Sequence, residues 1–410
     1  MATRYFEPKA IPVAQVSTVQ VTAFDASTTY TLTVNGIAVV AVSGDASVNA
    51  TATALQVAWE AATHPYASGI TATVSTDTVT LTGDTEEVPF VVVSSVAGGS
   101  GTIGSVAEST APTGPHTIDD ADNWDGATLP SNSDVLVFRD LAIPVCWGLA
   151  GISTTGHTLK VDQSYSGKIG LDRGGYATSA DGQTTDLTAQ EYREVYLQLD
   201  CERIEIGGHQ GIHDPGGSQR IMIDNDRASA STTIIHRTSS VGSEQGKPPV
   251  RLLYAHASAD LDIRSGSIGI ATDAPGETST IGDVTLRAGT YVQGDGVTST
   301  NFTQHTGTAR ISLGASTLTQ ALVHGGDAIL DGDQIITTLK ITGGRVESNT
   351  TGTIATVTHD AGTLDLTRSS EARTVTTYTP RRGATLIQDD DVITITNFNR
   401  PDGPSAIAYS

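Results

Sequence analysis

Two pairs of carboxylates, one acidic run and one pair of histidines are the residues whose types and spacing bear on chemistry. Asp224 and Asp226 stand two apart, as do Asp200 and Glu202, and Asp389, Asp390 and Asp391 are consecutive. In a strand, residues i and i+2 point to the same face, so each of the first two pairs converges if its segment is extended. Two converging carboxylates suit glycoside cleavage, where one acts as acid and the other as base or nucleophile. They equally suit a Ca²⁺ ion, or simple solvation on an acidic exterior. Solvation is weighed first. His209 and His213 have the spacing of a helical zinc pair. The glycines around them and Pro215 forbid a helix, so a polar loop is expected instead. Cys146 and Cys201 are 55 residues apart and read as buried free thiols. There is no serine-hydrolase or P-loop motif, and Gly294-Asp295-Gly296 lacks the strand–helix context of a dinucleotide site. On these grounds no catalytic, cofactor-binding or metal-binding residue is assigned.

Whatever these side chains do, β-structure must position them. The 410 residues include 43 glycines but only six Phe, three Trp and two Met. Thr, Val, Ser and Ala dominate, and the β-branched members fit a pleated, half-buried surface. A formal charge of −22, with no basic block, repels nucleic acid and anionic membranes. No apolar run approaches the length that spans a bilayer. The first fifteen residues lack the apolar core of a signal peptide. A soluble protein made in the cytoplasm is expected, leaving the cell by lysis or assembly.

Residues 1–15 read as an extended arm, and residues 16–93 as a small ββαββ domain. Its first hairpin turns at Asn35-Gly36, a pair suited to a type I′ turn because both residues accept positive φ. The segment 47–63 is the one clear helix, capped by Ser47 or Asn49, with Val48, Ala52, Leu55 and Trp59 on one face and Pro65 as its stop. A last strand is expected over Val88–Val93. Residues 94–117 are rich in Gly, Ser and Pro and read as a flexible linker.

The remainder, residues 118–400, is expected to be a right-handed parallel β-helix, a β-solenoid, which makes the chain all-β dominated. Gly289, Gly307, Gly326, Gly344, Gly362 and Gly383 recur at spacings of 18, 19, 18, 18 and 21. Five residues before each stand Val284, Phe302, Ala321, Leu339, Val357 and Tyr378, all apolar. Eight before stand Ile281, Ser299, Leu318, Ile336, Ile354 and Val375. Apolar residues at fixed offsets imply ladders inside a tube, with glycine at a corner where a Cβ would clash. Rungs are expected through Leu261–Ile263, Thr232–His236, Arg220–Ile223 and Cys201–Ile206, with loops inserted at 207–218 and 239–249. Residues 118–138 read as a cap, Trp124 covering the end of the core.

The cap stretch Asn123, Trp124, Gly126, Pro130 and Asp134 resembles the opening segment of many bacterial and phage β-solenoid proteins. With Thr31–Gly36, the helix bearing Trp59, Ile70–Ala72, Val88–Phe90 and Gly167–Leu171, the layout is similar to a family of uncharacterised phage and prophage structural proteins. That family is found in planctomycete and marine bacterial genomes. The resemblance implies a virion protein: a capsid decoration, head fibre or tail fibre. It implies partners among other capsid or tail proteins, a homotrimer by analogy with three-fold sites, and no cofactor. The competing expectation is a tailspike-like polysaccharide depolymerase acting on host surface glycans. Few aromatic rings are present to stack sugars, which favours the structural role.

Overall fold

The structure is a computed structural model describing residues 1–34, 37–63, 65–146, 155–170, 177–178, 184–185, 196–208, 217–239, 247–272, 277–314, 317–388 and 391–400. From Val135 onward the chain coils as a parallel β-solenoid with two main sheets, of thirteen and ten strands. The larger runs through His157–Val161, Cys201–Ile206 and Ser231–Ile235 up to Ile393–Phe398. The smaller runs from Leu197–Leu199 to Ala384–Ile387. From Leu197 onward strands of the two sheets alternate along the chain, so each rung there contributes one to each sheet.

The glycine column lies at the corner between the sheets. Gly266, Gly289, Gly307, Gly326, Gly344, Gly362 and Gly383 all have positive φ, from 76° to 106°. At five of these corners, from Gly289 to Gly362, a Cβ would land on the carbonyl oxygen of the corner glycine one rung below. That same oxygen accepts the backbone N–H of the next residue: Thr290 bonds Gly266 at 2.7 Å, Thr308 bonds Gly289 at 2.8 Å and Thr363 bonds Gly344 at 2.9 Å.

The six residues placed five before the glycines are Cα partners in successive strands. All six are buried, and the column extends down to Leu261 and up to Phe398. A second column stacks Leu318, Ile336, Ile354 and Val375. Each aliphatic side chain so buried contributes roughly 1.5–3 kcal/mol. Outward positions form polar columns. Asp283, Asn301, Gln320, Thr338, Thr356, Thr377 and Asn397 are in register, and the Asn301 amide donates to Asp283 at 2.7 Å.

The amino-terminal segment differs from the expectation of a free arm. Thr3–Tyr5 pairs in parallel with Val135–Val137 and is the terminal strand of the larger sheet. Phe6 is buried against Trp124 and Phe138, with ring centroids 5.5 and 5.1 Å away. Trp124 does cover the end of the core, its indole N–H donating to the Ile118 carbonyl at 2.8 Å. The chain therefore starts in the solenoid, leaves to build the small domain, and returns to form the cap. The small domain is an insertion.

The 94–117 segment is likewise not a linker. Val92–Ala97 pairs with Thr29–Val34, while Thr102–Ile103 and Ala107–Thr110 pair with Val16–Ala23. These strands complete two antiparallel sheets around the helix Val48–Glu60, whose Ala52, Leu55 and Trp59 enter the core. Ser47 caps that helix, accepting from the Ala50 N–H. The helix ends at Glu60, before Pro65, which opens a second short helix, Pro65–Ser68. Proline suits that first position because its missing N–H has no partner there anyway. The strand expected at Val88–Val93 begins only at Val92. Pro89 has no N–H to give, and the Gln15 amide takes both backbone groups of Phe90 at 2.7 and 2.8 Å. The Asn35-Gly36 turn lies outside the described residues, though the strands it joins do pair antiparallel.

Replacing Gly326 with Ala meets both obstacles, a φ of 80° and the Gly307 carbonyl. At Gly383 φ is 106°, but the nearest atom to a Cβ is 3.9 Å away. Gly383→Ala should cost about 1–3 kcal/mol through backbone strain alone, and Gly326→Ala distinctly more. Equal losses in urea denaturation would mean that the contact between corners contributes nothing.

Candidate functional site

The acidic residues picked out by spacing fall at different places and do different things. Asp200 precedes the strand Cys201–Ile206; its Oδ1 accepts from Arg227 at 2.8 Å and from the Gly156 N–H at 3.0 Å. It is thus committed to an ion pair, while Glu202 is exposed. Asp389 and Asp390 lie outside the described residues, as do His209 and His213.

Asp224 and Asp226 are brought together. Asp224 lies on the outer side of the strand Ile221–Asn225, whose Ile223 and Asn225 are buried, and Asp226 is just past its end. Asp224 is half-buried; burial first, then the neighbouring Asp226 charge, pushes its carboxyl above the usual carboxylate range, against a hydrogen bond from Gln198. Both line a pocket of about 420 Å³ together with Glu277. Of the other lining residues, Tyr254 is almost fully buried, and the Ser279 hydroxyl bonds both backbone groups of Tyr254. Among the described residues, no group of three or more His, Cys, Asp and Glu is placed to share a metal ion. Chemically, the pocket offers one carboxyl of raised proton affinity beside an exposed carboxylate. Cys146 and Cys201 are both free thiols, and burial pushes each up from its ordinary value.

A larger cavity, which no sequence motif indicated, lies where the inserted domain meets the cap. It measures about 600 Å³. Two chain crossings meet at Thr113, which lines it: Val13 and Thr113 exchange backbone hydrogen bonds at 3.0 and 3.3 Å, and the Glu87 N–H also bonds the Val13 carbonyl at 3.0 Å. The Glu87 carboxylate reaches His116 at 2.5 Å, joining domain to cap. Phe90, Pro112 and Leu129 give the cavity apolar walls, and Glu108, Asp119 and Asp120 bring carboxylates. Asp119 Oδ1 is buried with no hydrogen-bond donor, and burial pushes its carboxyl up to about 7.

The cap motif is accounted for structurally. The side-chain oxygen of Asn123 accepts the backbone N–H groups of Lys9 and Ala10 at 2.8 and 2.9 Å, and its amide donates to the carbonyls of Gly114 and Thr117 at 2.7 Å. Asp134 accepts from Ala2 at 2.6 Å and from the backbone and hydroxyl of Ser131 at 3.0 and 2.9 Å. Burial opposes its ionisation, but these bonds and the Arg4 charge outweigh it and hold the carboxyl at about 2. Asn123 and Asp134 fasten the two chain crossings to the first rung. No protein-family model matches this sequence, and no curated protein matches it closely. Among the described residues, no helix is long and apolar enough to cross a membrane.

Asp134 and Asp119 give the fold opposite pH responses. The depressed carboxyl of Asp134 supplies stability that is present above about pH 4 and lost as pH falls toward 2. The folded state keeps the Asp119 proton that the unfolded chain has already released, so stability declines as pH rises from about 4 to about 7. Asp119→Asn should therefore melt with wild type at pH 4 and be more stable at pH 8, by roughly 2 kcal/mol after allowing for partial exposure. Calorimetry at the two pH values checks this; a variant less stable than wild type at pH 8 contradicts it.

Proposed function

We propose that the protein is a structural component of a bacteriophage particle, a capsid decoration or a head or tail fibre that displays its solenoid at the particle surface. The observation that carries this reading is mechanical. Ten strands of one sheet and thirteen of the other pair in parallel from rung to rung, and the shaft is joined to the inserted domain by two docked chain crossings. A shaft and head so connected suit presentation at a distance better than turnover. The cap resemblance supports the same reading, and the net charge of −22 fits crowding on a shell rather than contact with nucleic acid. A homotrimer is part of the proposal through the analogy with three-fold sites on particles. The argument from a shaft wagging on a loose tether falls away, because residues 94–117 are folded. Other capsid or tail proteins are the partners, with host surface glycan as a ligand of the displayed shaft.

A second reading, glycan depolymerase, is favoured by one observation: Asp224, its proton affinity raised by burial, shares a pocket with Asp226, and a glycosidase needs one protonated carboxyl beside a second carboxyl group.

Particles induced from a strain carrying this sequence, purified by density and analysed by mass spectrometry, should contain the chain in many copies. Its absence from the particle fraction would overturn the structural proposal. Light scattering on the purified protein should give three times 42.4 kDa; a monomer at all concentrations and in the particle would defeat the trimer. Incubation with envelope polysaccharide of that strain should release no oligosaccharide. Release that disappears in the Asp224→Ala/Asp226→Ala double variant would establish the enzyme instead.

A further inference from the structure

We infer that a basic column at the corner edge of the larger sheet, Arg287, His305 and His324 with Lys340 beside it, binds a linear acidic polysaccharide laid along the shaft. The inference rests on the reading of the solenoid as a displayed shaft, and gives its glycan ligand a place and a charge. Arg287, His305 and His324 follow the interior residues Leu286, Gln304 and Val323 on successive rungs, and all three are exposed. Lys340, exposed too, stands on the next rung in register with Leu322. Over these four rungs the two outward columns hold no carboxylate; their other members are Thr285, Thr303, Leu322 and Thr342. In a chain of formal charge −22 this is a local reversal of sign.

The donors of this column are uncommitted. Arg287 gives its Nε to Asp262 on the rung below at 2.6 Å, and its two terminal nitrogens make no hydrogen bond among the described residues. Arg264 claims the same carboxylate at 3.2 Å, so one acid faces two guanidiniums. Lys340 forms no ion pair or hydrogen bond among the described residues. The His305 and His324 rings stack with centroids 5.1 Å apart, and His324 spends only Nδ1, on the Thr342 hydroxyl at 2.8 Å. A guanidinium fork matches a carboxylate, and an imidazole donates one N–H even when neutral. The nearest further acid along the Arg287 strand, Asp283, lies beyond Thr285 and is engaged by the Asn301 amide. Rungs repeat about every 4.8 Å, close to the length of one sugar residue, so a glycan along the column offers a carboxylate to each rung. Thr285 and Thr303, half-buried beside the column, meet its hydroxyls. A nucleic acid duplex carries a charge about every 1.7 Å, and that density is repelled by the acidic surface around the strip.

The test is calorimetric titration of the full chain at low salt with tetramers of α-1,4-linked galacturonate and of β-1,4-linked glucuronate. The controls are the methyl esters of both, which keep the shape without the charge, together with tetraglutamate and a thymidine octanucleotide. Saturable binding of at least one uronate tetramer is expected, weakened about tenfold or more by esterification and by the double variant Arg287→Gln/Lys340→Gln. His305→Gln should weaken it severalfold. Arg310→Gln, on the smaller sheet, should bind as wild type does. The replaced side chains are exposed and Arg264 stays with Asp262, so an unaltered circular dichroism spectrum shows that the variants have folded. No saturable binding of either tetramer up to millimolar concentration overturns the inference, as does equal binding of the esters or indifference to the double variant. Tetraglutamate or the octanucleotide binding as tightly as the uronate overturns the polysaccharide in favour of an acidic peptide or a nucleic acid. Binding by the isolated chain is read separately from its presence in particles, so failure of one is distinguishable from failure of the other.

Discussion

At five successive corners of the solenoid, Gly289 to Gly362, the carbonyl oxygen of one glycine accepts a hydrogen bond from the residue after the glycine above it, beside the space where that glycine's Cβ would stand. Both sheets meet here, so the spacing of this one contact fixes their registers relative to each other. If a corner opened by the width of a methyl group, the ladders on both sides would lose alignment. The Leu339 position would no longer sit over Ala321 and beneath Val357. The outer polar columns depend on it as well, since Asn301 reaches Asp283 only when adjacent rungs are level. So do the ion pairs that step between rungs, such as Arg287 with Asp262 at 2.6 Å and Arg345 with Asp365 at 2.7 Å.

Two of the polar side chains in the interior find partners on neighbouring rungs. Gln304 is fully buried, and its amide donates to the carbonyls of Gly307 and Asp327 at 2.9 and 3.2 Å. Buried His359 contacts the Tyr378 hydroxyl at 2.9 Å and the Gly362 carbonyl at 3.2 Å, and burial lowers its proton affinity. Each spends its polarity on the corner region, so these side chains tie the interior to the same turn that the glycines shape. The functional reading draws on this economy: side chains that elsewhere carry chemistry are here consumed in holding rungs together.

Much of this was legible in the sequence because the solenoid repeats. A column of apolar residues five before each glycine is visible as soon as the glycines are aligned, and Ser299 is a tolerable exception in the column three residues earlier. A third interior column, from Ile263 through Leu286, Gln304, Val323, Ile341 and His359, escaped notice. Its glutamine and histidine look exposed until the hydrogen bonds that bury them are seen. The insertion was illegible for another reason. Thr3–Tyr5 is too short to show periodicity, and its partner lies more than a hundred residues away, a pairing no local pattern encodes. Residues 94–117 misled by composition, since Gly and Ser here sit between short strands rather than in a tether. The site was legible in part: Asp224 and Asp226 do meet, but Asp119 acquires its character only from the walls folded around it.

The closing of the first strand on the cap also dictates an order of events during synthesis. The Ala2 N–H bonds Asp134 across a separation of 132 residues, and everything between is the inserted domain and the cap itself. As the chain emerges, Thr3–Tyr5 waits with its edge unpaired while the small domain, whose strand pairings all lie within residues 16–110, is completed before the cap is made. A domain that folds first shortens the effective loop to be closed, because its two ends are already held side by side at Val13 and Thr113. Thr3–Tyr5 is thus placed after the domain that follows it in the chain, delivered to the first rung by a domain that acts, for the growing chain, as its own folding clamp.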